Sequence, residues 1–118
     1  MSVDAVWTTP SVIGTLLIAP AMRIDDPEIQ GIVIGAEARG CKGSFMSGAL
    51  PSEGSRELRI VTTCQLPGQP MRTIYYFGVS RPKGGLYLFT TATTSDGSRE
   101  DAEQVDATIR TATYRSIK

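Results

Sequence analysis

The amino-acid sequence predicts an α+β domain, an antiparallel sheet of about five to six strands with a C-terminal helix packed on one face. Three observations carry this expectation. Leu58 to Leu66 alternates apolar and polar residues with period two, as a strand covered on one side does. Arg72 to Ser80 and Leu86 to Thr94 are dense in Ile, Tyr, Phe and Val and are joined by Arg81-Pro82-Lys83-Gly84-Gly85. After Ser98 the period changes to that of a helix.

The first ten residues, 1–10, have no clear period and are expected to form a loose arm, with Trp7 as an anchor. Val12 to Ile18 is a continuous apolar run ended by Pro20, which fits a buried strand. Arg23 to Glu28 carries charge and Pro27, a turn signal. Ile29 to Ala36 contains Ile32-Val33-Ile34 between Gly31 and Gly35. Each glycine would weaken a helix by roughly 1 kcal/mol, so a strand is expected here. Arg39 to Gly54 is rich in Gly and Ser and reads as a loop holding a short strand at Ser44 to Ser47.

Pro67-Gly68-Gln69-Pro70 is a turn, and the glycines of the Arg81–Gly85 loop are expected at positive φ. Ser98 is placed to cap the last helix, with Asp101 three residues on as its reciprocal partner. Acidic residues crowd the start of that helix, and Arg110, Arg115 and Lys118 lie toward its end, matching the helix dipole. Ala102, Val105, Ile109 and Ala112 make a narrow stripe for packing on a sheet.

Length and composition limit what such a domain does. One domain over residues 1–118 is expected, with a core large enough to need no metal. Twelve basic residues balance twelve acidic ones, so no long-range field gathers nucleic acid or an anionic membrane. No apolar run approaches the roughly 20 residues of a membrane-spanning helix, and no membrane insertion is expected. The chain has no histidine, which removes Ser-His-Asp and Cys-His mechanisms and the commonest metal ligand.

Cys41 and Cys64 are the two cysteines. Two free thiols and one disulfide are both open readings, and the disulfide is the sharper. Closing that loop contributes roughly 3 kcal/mol by restricting the unfolded chain. Zinc is disfavoured, since two cysteines without histidine cannot complete a ligand set, so no metal or other cofactor is expected. Asp25, Asp26 and Glu28 lack the spacing of a calcium loop and read as a solvated acidic turn.

Cys41-Lys42-Gly43-Ser44 invites comparison with a phosphate loop, but its glycines stand in the wrong places. Lys42, Arg81 and Lys83 would form an anion- or ligand-binding patch if their loops met. Tyr75, Tyr76, Phe77, Tyr87 and Phe89, beside Arg72 and Arg81, are compatible with base stacking, but cross-strand packing is the commoner use of such a cluster. Ser47, Ser52 and Ser55 would act as nucleophiles only beside a desolvated lysine, which no spacing demands.

A resemblance is carried by Cys41, the loop Gly43-Ser44-Phe45-Met46-Ser47-Gly48, the strand end Val61-Thr62-Thr63-Cys64, and the segment from Ile74-Tyr75-Tyr76 to the closing helix. The pattern resembles small uncharacterised exported bacterial proteins with two such cysteines, and its sheet and final helix look like the PsbP-like fold. It covers roughly residues 41–118. The resemblance implies a periplasmic or secreted setting and supports a Cys41–Cys64 bridge, with the signal peptide of an exported form removed and replaced by Met1. It carries no catalytic residue.

The expected function is therefore a non-catalytic envelope accessory or binding domain, stabilised by one disulfide and taking an unknown protein partner or a small ligand. The competing expectation is a thiol-redox protein or enzyme that uses Cys41 and Cys64. Self-association into a homodimer through an exposed strand edge or the arm is a third.

Overall fold

A computed structural model describes residues 4–23, 28–51, 57–94 and 97–116, with side chains as far as Thr113. Asp25, Asp26, Ser52, Ser55 and Lys118, and the side chain of Arg115, lie outside the described residues. Strands β1 (Ala5–Thr8), β2 (Val12–Ala19), β3 (Ser44–Ala49), β4 (Glu57–Gln65), β5 (Arg72–Ser80) and β6 (Leu86–Thr93) build one sheet. Helix α1 (Ile29–Gly40) lies between β2 and β3, and α2 (Arg99–Ser116) follows β6. The strand order is β1-β2-β6-β5-β4-β3, and every neighbouring pair is antiparallel.

The α+β class and the antiparallel sheet follow the sequence expectation. The β4–β5–β6 meander pairs strand by strand along the chain, as short turns require. Gly84 (φ 99°) and Gly85 (φ 77°) take the left-handed backbone that the β5–β6 loop needs, and Arg81 N–H donates to Gly85 C=O at 3.0 Å across it. At the start of α2, Ser98 and Asp101 cap each other. The Asp101 N–H donates to Ser98 Oγ at 3.3 Å, and the Ser98 N–H donates to Asp101 Oδ2 at 3.1 Å.

Register divides the side chains between two faces, because residues directly opposite in an antiparallel pair share a face. One face presents Leu58, Ile60, Ile74, Tyr76, Leu86 and Leu88. These form the main buried cluster, and Ile29 and Val33 of α1 close it. The other presents Tyr75, Phe77, Val79, Phe89 and Arg59, and α2 packs there. The result is three layers, a helix on each face of the sheet.

Two expectations are corrected. Ile29–Gly40 is a helix where a strand was expected. Ile29 (3% exposed) and Val33 (8%) are one helical turn apart, and both face the sheet. Burying two such side chains is worth roughly 1.5–3 kcal/mol each, which exceeds the cost of two helical glycines at roughly 1 kcal/mol each. Residues 5–8, expected in a loose arm, instead form the edge strand β1, hydrogen-bonded to β2. Trp7 is its anchor, as expected, with its indole lying on Gly14 of β2.

Candidate functional site

The two faces are not equally covered. α2 reaches over β5, β6 and part of β2, whereas α1 packs over the β4 side of its own face. Across β2, β6 and β5 the α1 face carries two rungs of side chains. Ile13, Ala92 and Ile74 are in register in one, and Thr15, Thr90 and Tyr76 in the next. Ile13 is 41% exposed, and Val6, on the same face at the β1 edge, is 58% exposed.

A groove of about 410 Å³ runs between the last turn of α1 and the end of the sheet that holds Cys64 and Arg72. A recess of about 320 Å³ over the two rungs shares Glu37, Arg72, Ile74 and Thr93 with it. Both volumes fall within the roughly 300–1,000 Å³ typical of small-molecule sites.

Period-two alternation aims Arg72, Ile74 and Tyr76 of β5 to the same side, so one strand supplies a cation, an apolar floor and a phenol in sequence. The Tyr76 hydroxyl donates to Glu37 Oε1 on α1. Burial, and then the neighbouring Glu37 carboxylate, push the Tyr76 phenol far above the usual tyrosine range, so it stays a neutral donor. The Thr15 and Thr90 hydroxyls are hydrogen-bonded to each other across β2 and β6. Lys42 and Arg72 line the larger groove, and both are exposed.

Cys41 and Cys64 form a disulfide with a Cα–Cα distance of 5.8 Å, as the sequence anticipated. The bridge ties the residue that ends α1 to β4 at one side of the groove. It thereby fixes the Glu37–Tyr76 end of the helix over the sheet.

The anion patch expected of Lys42, Arg81 and Lys83 is not assembled. Lys42 lies at the end of the sheet where β5 begins, beside the disulfide, and Arg81 and Lys83 lie beyond the end of β5. Nine residues of strand separate those ends, about 30 Å at 3.3 Å per residue. Arg81 instead stacks its guanidinium over the Tyr87 ring, 5.5 Å from the centroid. Lys42 and Arg72 line one groove, a placement set by the α1–β4 crosslink and invisible in sequence spacing.

The aromatic cluster divides between the faces. Phe77 and Phe89 stack on the α2 side with ring centroids 6.1 Å apart, and Arg99 Nε donates to the Tyr75 hydroxyl at 3.2 Å. Tyr75 and Phe77 are buried and serve as core, whereas Tyr76 is buried but lines the recess and presents its hydroxyl to Glu37. Glu37 and Ile13 were not singled out from the sequence. The alternation of Arg72, Ile74 and Tyr76 was the one available signal for the floor of the groove. No family model, curated protein or solved structure matches this chain.

Proposed function

We propose that this chain is a non-catalytic binding domain of an oxidising compartment, periplasmic or secreted, and that it takes a small ligand in the groove beside α1. The observation that carries this reading is the recess over the two rungs, at which Ile13 is left 41% exposed. An apolar floor of Ile13, Ile74 and Ala92 is left beside the α1 end, with convergent polar groups from Tyr76, Glu37 and Arg72. Concave apolar surface with a few fixed polar groups is the common form of a ligand site. The disulfide supports an oxidising setting, and its position supports a structural staple rather than a redox centre. Among the described residues, no helix is long and apolar enough to cross a membrane.

A thermal-shift screen of small metabolites, followed by amide chemical-shift mapping of each hit, tests the proposal, since any compound that binds the native state raises its apparent stability. Hits should perturb the amides of Ile13, Ile74 and Ala92. Hits that map to the α2 face, or a screen without hits, would overturn it.

A further inference from the structure

Three features of the groove bear on the chemistry of its occupant. Its smaller recess has an apolar floor on which Ile13 is left 41% exposed, although Ile74 and Ala92 beside it are buried. Its larger part is lined by two exposed cations, Arg72 and Lys42, from different elements. Among the described lining residues the carboxylate is Glu37, which accepts the Tyr76 hydroxyl, and against it stand the two cations, so the charge balance of the larger part is positive. Arg72 lines both parts and stands where the apolar floor gives way to the cationic end.

We propose that the occupant is a free anionic amphiphile, a medium-chain carboxylate. Its chain lies across the Ile13–Ala92–Ile74 rung, and its carboxylate sits between Arg72 and Lys42. The inference rests on the groove being the binding site and adds the ligand class. The rung spans β2, β6 and β5, two strand spacings or about 10 Å, which gives the chain a bed transverse to the strands. Arginine presents a planar fork of donors to a carboxylate, and Lys42, which lines the same groove, adds a point charge. Transfer of the chain from water onto the exposed Ile13 floor supplies the apolar part of the affinity.

The test is an amide chemical-shift titration of the oxidised protein with decanoate, decan-1-ol and acetate. Decanoate should perturb Ile13, Ile74, Ala92 and Arg72 in a saturable manner. Decan-1-ol and acetate should each bind at least tenfold more weakly. Arg72→Ala and Lys42→Ala should each weaken decanoate about tenfold, as loss of a charge-assisted contact does. Both positions are exposed, and an unchanged spectrum away from the groove verifies that the variants fold.

Equal binding of decanoate and decan-1-ol, or no effect of either variant, would overturn the anionic assignment while leaving the groove as the site. No perturbation by decanoate, with other screen hits still mapping to the groove, would overturn the amphiphile class alone. Co-sedimentation with phosphatidylglycerol vesicles in preference to binding free decanoate would replace the free acid by a membrane lipid. Hits confined to the α2 face would remove the groove reading itself.

Discussion

Asp106 of α2 sits 3.7 Å from the Arg59 guanidinium of β4 and accepts a hydrogen bond at 3.0 Å from Arg110 one helical turn on. It is 3% exposed, so a carboxylate is sealed between helix and sheet with a cation on each element. Arg59 also donates to the Pro51 carbonyl at 2.8 Å. Removing the acid leaves two partly buried guanidiniums facing each other, so Asp106→Ala should cost about 2 kcal/mol, below the value for a fully buried pair because both arginines keep some solvent. Urea denaturation measures the loss. A double-mutant cycle with Arg59→Ala should give a coupling above about 0.5 kcal/mol, and simple additivity would show that the pair does not fasten α2.

The Cys41–Cys64 bridge closes a loop over a sequence separation of 23. Chain-entropy arguments assign such a loop about 3 kcal/mol. Cys41→Ser with Cys64→Ser should lower the unfolding free energy by that amount, and reductant should have the same effect on the native sequence. Because the bridge holds the end of α1 above the groove, the reduced protein should also lose ligand affinity. A reduced protein as stable as the oxidised one would remove the staple and favour the competing redox reading of these cysteines.

The strands and α2 were legible because their signals are local. Alternation, Gly-containing turns and the Ser98–Asp101 cap each lie within a few residues, and the observed bounds fall within a residue or two of the expected ones. α1 was not legible. It has no side-chain cap and no acidic residue in its first turn, and its helical character comes from burying Ile29 and Val33 against strands far along the chain. β1 was hidden for a related reason, since four residues pair only because β2 offers an open edge. The site was legible least of all. Arg72 and Lys42 come to one groove through a disulfide, Glu37 meets Tyr76 through a helix that the sequence disguised, and the anion patch read from loop composition was split by the length of β5. Asp106 was missed because the expected stripe ran from Ala102 through Val105 and Ile109 to Ala112, whereas the buried positions are Ala102 and Asp106, one turn apart, and Ala112 is exposed.

The Tyr76–Glu37 contact makes stability depend on alkaline pH. In the unfolded chain a tyrosine loses its proton near pH 10, whereas burial and the adjacent carboxylate keep Tyr76 protonated in the native state well above that. Above pH 10 the unfolded state therefore binds fewer protons than the native state. The contribution of Tyr76 is fully present below that pH and falls steadily as pH rises above it. The phenolate absorbance of Tyr76, read as the difference between the native sequence and Tyr76→Phe, should appear only on unfolding. Tyr76→Phe should abolish that silent group, flatten the alkaline decline and cost about 1 kcal/mol near neutrality through the lost hydrogen bond. A native-state titration in which every tyrosine ionises near pH 10 would contradict this assignment.

Gly14 and Trp7 define how β1 is held. A Cβ on Gly14 would stand 2.1 Å from Trp7 Cε2, closer than any real contact, so only glycine lets the indole lie flat on β2. Trp7 is the one tryptophan in the chain, and its emission reports this contact directly. Gly14→Ala should push the ring into water, shift the emission to longer wavelength and increase quenching by acrylamide. The stability cost should be about 1 kcal/mol, since the displaced ring and the frayed edge strand form a small part of the structure. In a Trp7→Ala background the steric conflict is gone, and Gly14→Ala should then be neutral or slightly stabilising, because glycine is a poor strand residue. If the alanine is as costly there as in the native sequence, its penalty lies in the β2 backbone and not in the indole, and Trp7 is not what holds β1 to the sheet.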